Sequence, residues 1–455
     1  MSNATDDVTR VAASGRATGA GPRGPQGADG SRAGLRISDR RRQTVTGRRC
    51  SRRPRRRAAL LATVVTGLAW RGAGSLGAQV PPSLIGRELL PPQVKVEPFA
   101  GPFSGPVALA FLPDGRLLVT EKNGGVRLVA ADGQAAADPI LSLPTDQTAE
   151  RGLLGVAADP GFAQNQRVFV YHTLPRPSVN RIVRFRLVDG RAVAPTAVYT
   201  LPAPGTIHNA GNLHFGPDGQ LYVGVGEGGT PARAGDLGDP RGKILRLDPA
   251  PTPLRAAAGN PFTGLDGIDA AIWASGFRNP FDFTFDPVSR TLLATDNGPD
   301  CNDELNRVRP ARDDGWRPGY DCRRPAGAAG TEAPLWVWSQ TVGITGPLVY
   351  TSDVIPAWTG SLLVCSWNNG QLFRVALAAD RARALAVNRV LGVTCNIDIA
   401  QGPDGGVYFI EGGGYAPGWI RRIVPDPDAT PGPRPTLEPL ERVFAPRVVK
   451  GVRGR

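Results

Sequence analysis

Three short clusters carry the residue types that chemistry needs. The first is Ile207-His208-Asn209-Ala210-Gly211-Asn212-Leu213, with Glu227 following about one hairpin later. An imidazole titrates near neutrality and serves as a general base, and a carboxylate reaching back to it would orient the ring. The second is Ser275-Gly276-Phe277-Arg278-Asn279-Pro280, where a fixed guanidinium beside a carboxamide supplies planar donors for a carboxylate or a developing oxyanion. The third is Asp296-Asn297-Gly298-Pro299-Asp300-Cys301-Asn302-Asp303-Glu304. Its side-chain oxygens and carbonyls suit a hard cation such as calcium, although the spacing is not that of an EF-hand. His214 and His172 alternate within strands and read as sheet packing. The chain has no phosphate-binding loop, dinucleotide fingerprint or Gly-x-Ser-x-Gly elbow.

The elements that must position these clusters repeat. An apolar stretch, a Pro-Asp-Gly type turn, an alternating strand, a Gly-bearing loop and a strand with Arg recur along the chain. The first two instances are Ala108-Phe111 with Leu117-Thr120 and Val156-Ala158 with Val168-Tyr171. Leu213-Phe215 with Leu221-Val225 and Phe283-Phe285 with Leu292-Thr295 follow, then Val354-Ile355 with Leu362-Cys365 and Ile397-Ala400 with Val407-Ile410. Proline presets φ and glycine accepts a positive φ, so Pro-Asp-Gly makes each full instance a hairpin. The turn prolines lie 47, 57, 70, 69 and 47 residues apart. Six such units without helical periodicity predict an all-β, six-bladed β-propeller of four-stranded antiparallel blades over residues 101–424. Residues 79–100 read as a lead-in segment, and 425–455 as a Pro-rich basic tail. Gly226–Arg241, Pro249–Ile268 and Asp300–Thr341 read as long, function-bearing connections.

Charge and cysteine use bound the rest. The chain of 455 residues carries a formal +13. Residues 1–78 hold 16 Arg and 4 acids, which leaves 37 basic against 36 acidic residues in the body. A near-neutral body lacks the basic surface of a nucleic-acid binder. Residues 1–50 read as a disordered basic leader. Arginines 52, 53 and 55–57, the 13-residue apolar run Ala58–Trp70 and the small residues up to Ala78 then have the order of an export signal. That run is shorter than the roughly 20 residues a membrane span needs, so no stable membrane insertion is expected and the protein is predicted to be periplasmic or secreted. Removal of the leader leaves Cys301, Cys322, Cys365 and Cys395. Of the three possible pairings, Cys301–Cys322 and Cys365–Cys395 close the shortest loops and are preferred.

Taken in order, the clusters resemble the glucose/sorbosone dehydrogenase family, soluble aldose dehydrogenases that use pyrroloquinoline quinone (PQQ) and calcium on a six-bladed propeller. The resemblance covers about residues 98–425. It includes Glu150-Arg151-Gly152-Leu153-Leu154-Gly155, the spacing from His208 through Gly211 to Gly216-Pro217-Asp218, and Arg278-Asn279-Pro280. It implies His208 as catalytic base supported by Glu227, and Arg278 polarising the quinone. Arg278, Asn279 and Asn297 would contact the cofactor. Calcium would lie on Gly298 and Pro299, with Asp303 and Glu304 in the acidic stretch that follows. The implied reaction takes a sugar's anomeric hydroxyl to the lactone by hydride transfer to PQQ and passes electrons to an external acceptor. Two departures stand out. Cys395-Asn396-Ile397-Asp398 replaces an Arg-x-Arg-Asp run, and Trp367-Asn368 falls where a lysine often follows the fifth blade's strand. Those cations grip an acidic cofactor, so the chain is expected to bind PQQ more weakly, through other groups, or not at all. A calcium-dependent hydrolase or lactonase and a non-catalytic carbohydrate- or protein-binding propeller are the alternatives.

Overall fold

The computed structural model describes residues 85–202, 205–323 and 330–429. The predicted leader and export signal, and most of the predicted tail, lie outside the described residues. Six antiparallel sheets form a six-bladed β-propeller. The innermost strands are Pro106–Phe111, Leu153–Ala158, Ala210–Phe215, Pro280–Phe285, Ile344–Val349 and Ile399–Gln401, in blades 1 to 6. Each touches the next, and the sixth touches the first, closing the ring.

The Pro-Asp-Gly turns work as their chemistry requires. Gly115, Gly219 and Gly405 take φ of 87°, 74° and 80°. The preceding aspartates accept from the backbone two residues on, Asp114 from Arg116 N at 3.1 Å and Asp404 from Gly406 N at 3.0 Å. Second strands such as Leu117–Glu121, Leu221–Val225 and Leu362–Ser366 are buried at every position, because neighbouring blades cover both faces. Full burial of each Leu or Val there stabilises by roughly 1.5–3 kcal/mol before chain entropy is subtracted.

Three sequence expectations need correction. Residues 79–100 are not a lead-in over their described part: Gly86–Leu89 adds a parallel fifth strand to blade 5, and Val94–Phe103 is the outer strand of blade 6, paired with Gly418–Pro425. The inner strand of blade 5 is Ile344–Val349 rather than Val354-Ile355, which lies in a connection beside a 3-10 turn at Pro356–Trp358. The Asp300–Thr341 stretch is not one loop, since Asp303–Val308 and Trp336–Trp338 are the third and fourth strands of blade 4. Strands seldom begin Asp-Glu, but the Asp303 carboxylate accepts from the backbone of Gly298, Val342 and Gly343 and so repays its burial. Disulfides join Cys301 to Cys322 and Cys365 to Cys395, the preferred pairing.

Candidate active site

In an antiparallel hairpin the start of the inner strand and the end of the second strand lie at the same edge. All six blades therefore bring those two stations to one end of the propeller axis, opposite the Pro-Asp-Gly turns. A cavity of about 300 Å³ opens there. Its wall takes Val107 and Lys122 from blade 1, Glu150 and Leu154 from the approach to blade 2, and His208 and Ala210 from blade 3. Blade 4 adds Arg278, Asn279, Asn297, Gly298 and Pro299, and blades 5 and 6 add Trp367, Asn368, Ile397, Gly414 and Tyr415.

His208 precedes the inner strand of blade 3 with a left-handed φ of 56°. Its backbone N–H donates to Glu150 Oε2, which holds that unusual turn. Its Nδ1 is bonded to Glu227 Oε1, and the two side chains are 8% and 1% exposed as residues. Glycine at 226 makes this contact possible: a Cβ there would lie 2.0 Å from His208 O. With Nδ1–H donated to the carboxylate, the ring is held in one tautomer and orientation and its Nε2 is left without that partner.

Blade 4 faces this pair. Asp296 accepts from Arg278 N at 2.9 Å and Asn279 N at 2.6 Å, fixing both residues at the start of their strand. Arg278 Nη1 donates to Asn297 O at 3.0 Å and its guanidinium lies 5.6 Å from the Trp316 ring centroid. Asn279 Oδ1 accepts from Ala210 N at 3.0 Å, tying blade 4 to the segment that carries His208. Asn297 Nδ2 donates to Ile344 O at 2.6 Å.

The predicted metal-binding residues separate into two groups. Gly298 and Pro299 line the cavity. Asp303 spends its carboxylate on backbone amides, and Glu304 points behind Gly298 into a small void shared with Asp296, Asn302, Trp316 and Tyr320. Burial, then repulsion from Asp296, pushes Glu304 up to about 8, and burial pushes Asp296 up to about 6. Asp314 is raised well above the carboxylate range by burial and by Glu304, and neither of its carboxylate oxygens has a partner among the described residues. No set of three His, Cys, Asp or Glu ligands converges among the described residues. The fit to a hard cation therefore rests on main-chain carbonyls beside buried carboxyls that burial drives toward the neutral form and that a bound cation would favour ionised. Arg278, Asn279 and Asn297 give the cavity the donors an acidic quinone needs.

His214 does not line this cavity. Its Nε2 meets Asp282 Oδ1 at 2.7 Å; burial is the largest single influence and lowers its pKa, but the Asp282 charge, its hydrogen bond and the Asp398 charge together outweigh that and raise it. His172 is buried in blade 2, its pKa lowered to about 4 by burial and then by Arg181. Sequence reasoning missed Lys122, Tyr415, Asp314, Trp316 and Tyr320. Lys122 and Tyr415 were findable from the repeat, since each follows the second strand of its blade as Glu227 and Asn297 do.

A six-bladed propeller with a carboxylate-held histidine facing an Arg-Asn pair across one axial cavity defines a class of enzyme-like sites. The glucose/sorbosone dehydrogenase family model matches residues 103–417, and the chain belongs to that family. The aldose sugar dehydrogenase YliI of Escherichia coli K12 is 28% identical over 70% of this chain and 90% of its own length. A Thermus thermophilus structure described as a putative oxidoreductase (glucose dehydrogenase) superposes with a TM-score of 0.66 at 30% identity, covering 73% of this chain and 100% of that one. The PQQ-bound aldose sugar dehydrogenase of Streptomyces coelicolor gives 0.60 at 27%, covering 73% and 99%.

Proposed function

We propose that the protein is a PQQ- and calcium-dependent oxidoreductase that converts an aldose sugar to its lactone, with His208 as base. The observation that carries this reading is the buried His208–Glu227 pair opposite Arg278 and Asn279 in a single cavity. PQQ would supply the two-electron acceptor that no side chain can provide. Arg278, Asn279 and Asn297 would bind and orient it, and the Gly298 and Pro299 carbonyls would hold calcium, with Asp303 fixing their loop and the buried Glu304 carboxyl behind them.

His208 Nε2 would take the proton of the anomeric hydroxyl while Glu227 keeps the ring in the productive tautomer. Leu154, Phe281 and Ile397 line the cavity and lower the local dielectric, which strengthens the Arg278 charge. The two disulfides fit an oxidising compartment, so we place the protein outside the cytoplasm as a periplasmic or secreted enzyme that hands its electrons to an external acceptor. Among the described residues no helix is long and apolar enough to cross a membrane.

Reconstitution tests this reading. Purified protein given calcium and PQQ should reduce an artificial dye when an aldose is added, and should not do so when either component is withheld. Dye reduction that never depends on PQQ, or its complete absence across a panel of aldoses, overturns the assignment.

A further inference from the structure

The cavity's charge does not sit where the family resemblance would put it. Asn396 is used internally: its Oδ1 accepts from Gly412 N at 2.8 Å and its Nδ2 donates to Trp367 O at 3.4 Å. Asn368 Nδ2 donates to Thr341 O at 3.2 Å. Among the described residues that line the cavity, the cations are Arg278 on blade 4 and Lys122 on blade 1.

Lys122 is an unusual ammonium. The residue is only 7% exposed, and burial lowers its pKa against the attraction of Asp146 and Glu150. Neither carboxylate pairs with it. Asp146 is held by Arg151 at 2.7 Å, and Glu150 accepts from the backbone of His208. Lys122 Nζ makes one hydrogen bond, to Gln147 O at 2.6 Å, and lies 4.8 Å from the centroid of the Tyr415 ring. An ammonium has three donors, so two N–H groups remain for an occupant of the cavity. A desolvated charge without an ion-pair partner is costly, and an anion brought beside it repays that cost.

We propose that Lys122 holds a carboxylate of the acidic quinone, so that blade 1 supplies the anchoring cation that blades 5 and 6 lack. This inference rests on the quinone reading above. It makes Lys122 a cofactor-binding residue and sets a carboxylate-bearing ring across the cavity between Lys122 and Arg278.

The test is binding rather than turnover. Calcium-loaded wild-type protein, K122Q and K122M are titrated calorimetrically with PQQ and with its trimethyl ester, which lacks the three negative charges. K122Q keeps a donor for Gln147 O, and unfolding midpoints without cofactor establish that each variant is folded. Loss of a charge-assisted bond should weaken PQQ binding about 10- to 100-fold in either variant and leave affinity for the ester unchanged. Unchanged PQQ affinity, or an equal loss for PQQ and ester, overturns the role of Lys122 alone. Wild-type protein that takes up neither quinone overturns the quinone reading and this inference with it.

Discussion

Where blades 3 and 4 meet the cavity they present His208 backed by Glu227, Arg278, Asn279 and Asn297. Where blades 5 and 6 meet it they present Trp367, Asn368, Ile397 and Tyr415, and no cation among the described residues. The two halves have the same architecture, each station being the open end of an inner hairpin. They differ in what the station is used for. One half presents a carboxylate-held imidazole and a guanidinium, and the other presents aromatic and amide surface. On the proposed reading, blade 3 would carry the proton chemistry, while retention of the cofactor would fall to blade 4 and blade 1 rather than to blades 5 and 6.

The sharpest way to break this comparison is His208→Ala. Loss of the base should lower kcat for dye-linked aldose oxidation by about 10²- to 10⁴-fold while PQQ affinity stays near wild type. A large loss of PQQ affinity in that variant would mean that blade 3 also anchors the cofactor. Next comes the disulfide that ties the second strand of blade 5, at Cys365, to Cys395 before the inner strand of blade 6. Replacing both cysteines with alanine should cost about 3.5 kcal/mol in urea unfolding, the loop-closure value, and leave kcat of the folded protein unchanged. An altered kcat would show that the second half shapes the reaction as well as the framework.

His172 lies within the second strand of blade 2, opposite Leu153 and one position short of the station that Lys122 holds in blade 1, and it is buried as structure. Its pKa falls from 6.5 to about 4 on folding, so the unfolded chain binds more protons between those values. Its contribution is fully present above pH 6.5 and is lost as the pH drops toward 4. Between pH 7 and pH 4 the stability of wild type relative to His172→Gln should fall by roughly 3 kcal/mol. Parallel pH profiles for the two proteins would refute this placement. The smallest effect belongs to Asn368→Lys, which returns a cation to blade 5. It should tighten PQQ binding about tenfold, and an unchanged Kd would mean that the quinone does not reach that wall.

The hairpins of blades 1, 2, 3, 4 and 6 were legible because their turns carry Pro-Asp-Gly or Asp-Pro, whose φ preferences act locally. Blade 5 misled because Pro347 lies inside its inner strand, where a missing N–H is tolerated at an edge, while Pro356 mimics the turn. The closing strand Val94–Phe103 was illegible because its partner lies at the far end of the chain. His208, Glu227 and Arg278 were readable from residue type and order. Asp296 and Glu304 were readable as parts of one acidic run, but Asp314 was not, since only the fold brings its segment against theirs and buries all three carboxyls together. The repeat marks the position of Lys122 but not its character: Thr-Glu-Lys at a strand end looks ordinary, and burial makes it exceptional.

The pairing of Val94–Phe103 with Gly418–Pro425 also imposes an order in time. Arg422 reaches Glu97 across 325 residues, so a strand from the start of the propeller waits for the strand that ends it. Until then Val107 and Tyr415, on opposite sides of that seam, cannot face one another, and the cavity has no complete wall. The wall of the cavity is therefore completed only once the Gly418–Pro425 strand has paired, and a group that needs the whole wall would be held only after that step.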